Sequence, residues 1–173
     1  MKVIFTLEPA DMKAFLAHNR KHGAQYKRIR YASILAFIAL SLQHALAAYS
    51  DTPHRVIAFF LTFAVFALAA WLSGALLRRV AYWRSFTARE QPGLFCEHSI
   101  TLADEALIEV TAVNEGRHLW SGVHSVINAA SHIYIFVAAN AAHIIPKRAF
   151  ANPAASDAFF RRAAQLHADA HKA

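Results

Sequence analysis

Two long apolar runs, separated by only six residues, constrain this chain more than any other feature. The first covers Tyr31–Tyr49 and the second Val56–Leu77, and neither contains a charged residue. At about 1.5 Å of rise per residue, a helix of either length can cross a bilayer core of roughly 30 Å. Ala45-Leu46-Ala47 has the form of a cleavage site, but a second run follows at once, which favours an intact hairpin. The sequence therefore predicts a transmembrane helical hairpin.

The charge of the chain favours a membrane over a nucleic acid as its partner. The net charge is +7, and a 57% hydrophobic composition with a mean hydropathy of +0.28 is typical of a protein with both membrane and soluble parts. Nucleic-acid binding would require basic residues spread over a surface with aromatic residues between them. Here the basic residues crowd the outer flanks of the two runs instead. They are Arg20, Lys21, Lys27, Arg28 and Arg30 before the first run, and Arg78, Arg79, Arg84 and Arg89 after the second.

The same charges predict an orientation in the membrane. The loop at residues 50–55, between the two runs, contains one Arg and one Asp. By the positive-inside rule, both termini are expected in the cytoplasm, with only this loop outside. The lone Cys96 excludes an intramolecular disulfide and suits a reducing compartment. Most of the chain is thus expected to face the cytoplasm.

Composition and periodicity divide the chain into three parts. Residues 1–26 predict a strand and a helix, residues 27–92 contain the hairpin and its basic flanks, and residues 93–173 form the last part. That last part alternates apolar and polar residues between turn signals, which indicates a meander of short strands. Asn152-Pro153 then has the form that begins a helix. We predict an α+β membrane protein: a two-helix transmembrane hairpin plus a small antiparallel β-meander, capped by a C-terminal helix. The N-terminal strand is a candidate for the same sheet.

Three short motifs in the last part of the chain resemble the bacterial YcxB-like family. They are the tryptophan-containing motif in Gly116–Val123, the apolar strand Ile133–Phe136 and the Ile-Ile-Pro-Lys-Arg-Ala-Phe run of Ile144–Phe150. The resemblance implies a bacterial inner-membrane protein with two membrane helices followed by a pleckstrin-homology-like (PH-like) domain. It implies no particular reaction. The segment Val126–His132 lacks the acidic residues usual there, which leaves an acidic surface in doubt. The motif residues are Trp120, Pro146, Lys147, Arg148 and Phe150.

No catalytic or metal-binding signature stands out. His18 and His22 have the four-residue spacing of two metal ligands on a helix, but no third ligand lies nearby in sequence. Cys96 has no adjacent base, and neither a nucleophile elbow nor a phosphate loop is present. The sequence therefore predicts a non-enzymatic protein without metal or cofactor. The other prominent histidines, which we interpret as solvated or edge residues, are His118, His124, His132 and His143.

Gln43 and His44 are the most prominent polar residues within the apolar runs. An ionisable residue inside a membrane is a candidate functional site, as in proton relays. Because neither run contains a carboxylate to partner His44, we favour hydrogen bonding between helices. An accessory subunit of a transport or ion-conducting assembly is the alternative.

Small residues spaced four apart predict where the two helices meet. Ala32 and Ala36 have this spacing in the first run, as do Ala70 and Gly74 in the second. Packing within the hairpin is the favoured interpretation. The same faces could instead join copies of the chain into a homo-oligomer.

These observations favour a role as an interaction or regulatory module, held at the cytosolic face of the membrane and contacting an unidentified protein partner. Lys147 and Arg148 form a basic corner after an apolar strand, and could contact anionic headgroups or an acidic partner, or face water. If the domain folds back towards the membrane, they would form one basic surface with Arg84 and Arg89. Anionic-lipid binding by this surface is the first alternative function.

Overall fold

The N-terminal strand pairs with a strand that follows the two apolar runs in the sequence. The structure is a computed structural model that describes residues 1–85 and 93–172. At residues 24–25, 78–79 and 81–85 it describes the backbone alone. The chain forms two units. The sheet unit contains Met1–Asn19 and Thr87–Ala173, and the hairpin unit contains Arg20–Phe86. The domain predicted at residues 93–173 therefore also includes the first nineteen residues, and the hairpin is an insertion in its sequence.

The first sheet of the sheet unit has four antiparallel strands in the order β1-β2-β3-β4. Because Val3 lies opposite Ile100 in the β1–β2 register, and both side chains are buried, the alternation of each strand places its apolar face in the core. The four strands are β1 (Lys2–Thr6), β2 (Glu97–Leu102), β3 (Ala106–Thr111) and β4 (Glu115–Leu119).

The second sheet has three antiparallel strands in the order β5-β6-β7. A short 3₁₀ turn, Trp120–Gly122, leads from the first sheet into it, and a second, Lys147–Ala149, follows its last strand. The central strand is buried along most of its length, as expected from its continuous apolar run. The strands are β5 (Ser125–Asn128), β6 (His132–Ala138) and β7 (Ala141–Pro146).

Two helices pack against these sheets. Helix α1 (Pro9–His22) follows β1 and buries Phe15, which lies 5.6 Å from Tyr134 of β6 between ring centroids. The last helix (Pro153–Ala170) begins as predicted: the Asn152 side chain accepts a hydrogen bond from the amide of Ala155 at 2.8 Å, and proline occupies the first turn. Its buried face carries Phe159, Ala163 and Leu166.

Trp120 is the largest fully buried side chain of the core. It sits in the 3₁₀ turn between the sheets, and its indole Nε1–H donates to the carbonyl oxygen of Ala103 at 2.8 Å. Residues from both sheets, α1 and the C-terminal helix surround it in one cluster. Trp120 of the tryptophan-containing motif therefore packs in the core that the two sheets share.

The hairpin unit contains two long helices, α2 (Ala24–Ala48) and α3 (Thr52–Ser85). In chain order, the C-terminal helix (Pro153–Ala170) is therefore numbered α4. The segments Tyr26–Ala48 and Thr52–Leu77 are long and apolar enough to cross a membrane, by length and composition. Only 11% and 6% of their most apolar windows are buried, which is unlike the core helix of a soluble protein.

The contact between α2 and α3 lies on a different face from the predicted one. Ser41 and Ala45 of α2 and Ala58 of α3 are buried, and the rings of Phe37 and Phe66 stack at 5.7 Å. The prediction is wrong for Ala32, Ala36 and Ala70, which are exposed, whereas Gly74 is half-buried. At about 100° per residue, position 41 lies about 140° around the helix from position 36, so one face cannot include both.

Candidate functional site

Four titratable side chains of the sheet unit line one cavity of about 450 Å³. Strand β2 supplies His98, β3 supplies Glu109, β4 supplies His118 and β7 supplies His143. We call this space the histidine cavity. Its apolar lining includes Leu7, Met12 and Phe15 from the N-terminal segment, and Leu94, Val137 and Ile144 from the C-terminal part.

The Glu109 carboxylate lies between two histidine rings. Nδ1 of His98 is 2.9 Å from Oε1, and Nδ1 of His143 is 3.1 Å from Oε2. His98 faces inward because the alternation of β2 buries it with Ile100 and Leu102. Strand β7 of the second sheet brings His143 to the opposite side of the carboxylate. The cluster therefore joins the two sheets.

The surroundings of Glu109 fix its charge and that of His98. Burial alone would raise the pKa of Glu109, but the hydrogen bonds from His143 and His98 lower it to about 2. Burial likewise lowers the pKa of His98, but the hydrogen bonds to Glu109 and to the Leu94 carbonyl outweigh it and raise the pKa. Both ring nitrogens of His98 face groups that only accept, with Nε2 at 3.0 Å from the Leu94 oxygen. This arrangement favours the protonated form of His98, paired with the Glu109 carboxylate.

His143 uses only one of its two ring nitrogens. Its side chain is buried, and among the described residues no group forms a hydrogen bond with its Nε2. The His118 ring lies edge-on to it, with centroids 5.0 Å apart. Burial and the neighbouring His143 lower the pKa of His118. Nε2 of His143 is therefore a buried polar atom without a hydrogen-bond partner among the described residues.

Cys96 lies beside this cluster. Its Sγ is 4.0 Å from Nε2 of His98 and donates to the carbonyl oxygen of Gly93 at 3.4 Å. The two residues are two positions apart, a spacing that places both on one face of an extended segment. The sequence did not show that both ring nitrogens of His98 already face acceptors, Glu109 and the Leu94 carbonyl, so that this ring offers the thiol no free base.

A second buried cluster centres on Asp11 of α1, which is only 1% exposed. The Arg148 guanidinium donates to both of its carboxylate oxygens, at 2.5 and 2.7 Å. Nε2 of His132 lies 2.8 Å from Oδ1, and the backbone N–H of Glu8 donates to Oδ2 at 2.7 Å. The Ser131 hydroxyl meets the remaining His132 nitrogen at 2.8 Å. We call these residues the Asp11 cluster.

The partners of Asp11 keep it ionised. Burial raises the pKa of this carboxyl, but hydrogen bonds from Arg148, Glu8 and His132 oppose that effect and lower the pKa to about 2. The hydrogen bond to Asp11 in turn raises the pKa of Arg148. Tyr134, whose ring stacks on His132 at 5.6 Å, has its pKa raised to about 12 by burial and by the charge of Asp11. The two-pronged arginine contact has the geometry of a strong buried ion pair.

Comparison with known protein families finds one similarity. Residues 102–162 match the model of the YcxB-like protein family. We call these residues the YcxB-like region. The resemblance of the three motifs to the YcxB-like family is thus confirmed over these residues. The match does not extend to the hairpin. No curated protein and no solved structure matches the chain.

The YcxB-like region contains all five motif residues, and the structure gives each a position. Trp120 fills the core, Pro146 is buried at the end of β7, and the Phe150 ring packs 5.2 Å from that of Phe159. Arg148 is exposed, but its guanidinium is ion-paired with the buried Asp11. Lys147 is half-buried, and none of the described residues forms an ion pair with it.

The rest of the predicted basic surface cannot be assembled from the described residues. Arg84 lies in α3 with its backbone alone given, and Arg89 lies outside the described residues. The YcxB-like region therefore offers Lys147 as the one member of that set whose side chain is both described and without an ion-pair partner in the described part of the chain.

The interpretation of the histidines as solvated or edge residues is wrong for two of them. His132 and His143 are buried, each against a carboxylate. His18 is half-buried, and its ring lies 4.8 Å from that of Tyr134. Within residues 1–85 and 93–172, no set of three His, Cys, Asp or Glu side chains is arranged to hold a metal ion. In the YcxB-like region, histidines serve as partners of buried carboxylates.

Gln43 and His44 are both exposed on the surface of the hairpin unit. Hydrogen bonding of His44 between α2 and α3, the favoured interpretation, is therefore not what the structure shows. The buried polar residue of this contact is Ser41, which lies on another face of α2.

Replacing Arg148 with Met should destabilise the sheet unit by about 2 kcal/mol, because the buried Asp11 would lose both hydrogen bonds from the guanidinium. Lys147→Met is the matched control, since this neighbour has no ion pair among the described residues. Chemical unfolding of the full chain in detergent, followed by circular dichroism, measures both. Equal effects of the two changes would contradict the assignment.

Acid should destabilise the sheet unit mainly through the protonation of Asp11 and Glu109. Asp11 and Glu109 have folded-state pKa values of about 2, below their ordinary values, so their stabilisation is present above about pH 4.5 and is lost as the pH falls towards 2. Each contributes on the order of 2 kcal/mol. Thermal unfolding of the full chain between pH 6 and pH 2.5 should show this loss. Asp11→Asn or Glu109→Gln should flatten it, whereas Glu97→Gln, on an exposed residue, should leave it unchanged.

Proposed function

We propose that this chain is a bacterial inner-membrane protein whose hairpin unit spans the bilayer twice, with both termini in the cytoplasm. The sheet unit would then work at the cytosolic face as a PH-like, non-enzymatic interaction or regulatory domain with a protein partner. The observation that supports this most directly is the exposure of the two apolar helices, whose most apolar windows are 11% and 6% buried.

Water is a poor solvent for the surface that these helices present. Five of their large apolar side chains are each between 63% and 67% exposed. Burying such a side chain is worth roughly 1.5–3 kcal/mol, so an apolar environment is strongly favoured. Lipid supplies that environment, and the helix lengths match its thickness. The five residues are Phe60, Leu61, Trp71, Leu76 and Leu77.

The proposal of a PH-like domain rests on the sheets. A four-stranded and a three-stranded antiparallel sheet, followed by one closing helix, agree with the meander that the YcxB-like resemblance implies. Among the described strands, β4 of the first sheet pairs with β3 alone, so its other edge has backbone groups without a strand partner in this part of the chain. A partner peptide could add a strand at this edge.

Binding suits the two polar clusters better than catalysis does. Both oxygens of Asp11 and both oxygens of Glu109 already face nitrogen donors of the protein. A general base must be able to reach a proton on a substrate, whereas these carboxylates are occupied by structural partners.

The membrane topology can be tested with single cysteines in a Cys96→Ser background. We expect a membrane-impermeant maleimide to label Ser50→Cys, in the short loop, on intact spheroplasts. It should label Lys172→Cys, near the C-terminus, only after lysis. Both positions are exposed in the structure, so access is governed by the membrane. Equal labelling of both before lysis, or release of the protein by alkaline carbonate, would contradict the proposal.

Anionic-lipid binding is the competing function. Among the residues of the predicted basic surface whose side chains the structure describes, Lys147 is the one without an ion pair, because Arg148 is paired with Asp11 and Glu8. If Lys147 meets headgroups, its acylation by a soluble reagent should be several-fold slower in nanodiscs that contain phosphatidylglycerol than in phosphatidylcholine alone. Lys172, which pairs with Asp169 at 3.3 Å, is the reference lysine in the same sample. Equal rates for Lys147 in the two lipids would remove this function.

An accessory role in a transport assembly has one supporting observation. Gln43 and His44 are exposed among apolar neighbours on α2, and polar side chains facing lipid favour contact with another helix. A second copy of the hairpin is one source of such a helix.

A further inference from the structure

We propose that the free edge of β4 is a self-association site, where β4 of a second copy of this chain adds as an antiparallel strand, with Glu115 of each copy opposite Arg117 of the other. The inference rests on the interaction role proposed for the sheet unit and names the partner of that unit. It is argued from the direction of the backbone groups of β4, from the exposure of its side chains and from the order of its charges.

The hydrogen bonds between β3 and β4 leave every second residue of β4 without a backbone partner. In an antiparallel pair, hydrogen-bonded and non-hydrogen-bonded residue pairs alternate along the strands. The pair just outside β4 is a bonded one, because the N–H of Thr111 donates to the carbonyl oxygen of Asn114 at 2.8 Å. Counting along the register from there, the even-numbered residues of β4 bond to β3. The odd-numbered residues, Glu115, Arg117 and Leu119, therefore direct their N–H and C=O groups towards the free edge.

The same three residues carry the exposed side chains of β4. Glu115 and Arg117 are exposed, and Leu119 is 52% exposed. Arg117 donates to Oε2 of Glu105 at 3.1 Å, in an ion pair that is itself exposed. Glu115 forms no ion pair with any residue in the described part of the chain. The edge is thus open to a second strand, and one carboxylate beside it lacks a partner.

The order of the charges along β4 fits a second copy in one register. A two-fold axis at Gly116 places Glu115 of each strand opposite Arg117 of the other, which gives two cross-strand pairs of opposite charge. Moving the axis by one residue would place Arg117 opposite its own copy, and like charges directly opposite each other are destabilising. An edge strand with charges of one sign repels its copies, whereas the mixed charges of β4 complement each other.

The apolar side chains next to these charges support the same register. With the axis at Gly116, Leu119 of each strand lies opposite position 113 of the other, where Val113 precedes β4 in the turn from β3. Leu119 and Val113 are 52% and 64% exposed, so each is an apolar side chain without cover in one copy of the chain. Opposite charges and apolar side chains are therefore matched by one and the same alignment of two copies.

Disulfide cross-linking in isolated membranes tests the position of the axis. In a Cys96→Ser background, Gly116→Cys places two thiols in a non-hydrogen-bonded pair, whose Cα atoms are about 4.5 Å apart, within the range of a disulfide. A Cβ atom at Gly116 meets nothing closer than Nε2 of His118 at 4.0 Å, so one chain accommodates it. Leu119→Cys is the matched control, because its two copies are six positions apart, roughly 20 Å. Under copper phenanthroline, Gly116→Cys should give several-fold more dimer.

Charge exchange tests whether the two ion pairs hold the strands together. In the Gly116→Cys chain, Glu115→Arg or Arg117→Glu alone should lower the cross-linked fraction about tenfold, because each change sets two pairs of like charges opposite each other. Both changes in one chain exchange the charges and should restore the dimer. Co-expression of the two single variants with different tags should give mixed dimers in preference to dimers of either variant, a result that a folding defect does not produce.

Two results would overturn self-pairing at β4. One is an equal yield of dimer from Gly116→Cys and Leu119→Cys. The other is a yield that the single charge variants leave unchanged, which would place the contact elsewhere, as in the hairpin unit. If no dimer forms while Ser50→Cys is still labelled on intact spheroplasts, self-pairing is wrong and the membrane-anchored role stands.

Discussion

The ion pair between Asp11 and Arg148 is the interaction on which the assembly of the sheet unit depends. It joins residues 137 positions apart, from the first turn of α1 to the turn that follows β7. Together with the pairing of β1 and β2, it fixes the N-terminal segment to a fold otherwise made from the last part of the chain. Because Asp11 is buried, its charge is tolerated only while its partners are in place.

Local periodicity was enough to predict most of the elements. The apolar runs predicted α2 and α3, the alternation around Ile100 predicted the inward face of β2, and Asn152-Pro153 predicted the start of α4. Each of these signals acts over a few residues, where sequence spacing and spatial spacing are nearly the same. The three motifs that resemble the YcxB-like family also predicted the order of the strands in the last part of the chain.

The candidate site was not predictable in the same way. Alternation showed that His98 faces inward but not that Glu109 and His143 lie opposite, because their meeting depends on how two sheets pack. The ion pair of Arg148, an exposed residue, was missed for the same reason: its partner Asp11 is 137 positions away in the sequence. In α2 the alanines are so frequent that several faces satisfy the small-residue spacing, so Ala32 and Ala36 could not be told from Ser41 and Ala45.

The position of the hairpin within the fold also sets an order for biosynthesis. Strand β1 leaves the ribosome first, but its pairing partner β2 begins only at Glu97, after both apolar helices. The edge of β1 must therefore wait, unpaired, while about ninety further residues are translated, and Asp11 waits 137 residues for Arg148. At roughly 5–20 residues per second this interval lasts several seconds, during which the apolar helices emerge. Both apolar helices are thus translated before the sheet can be completed.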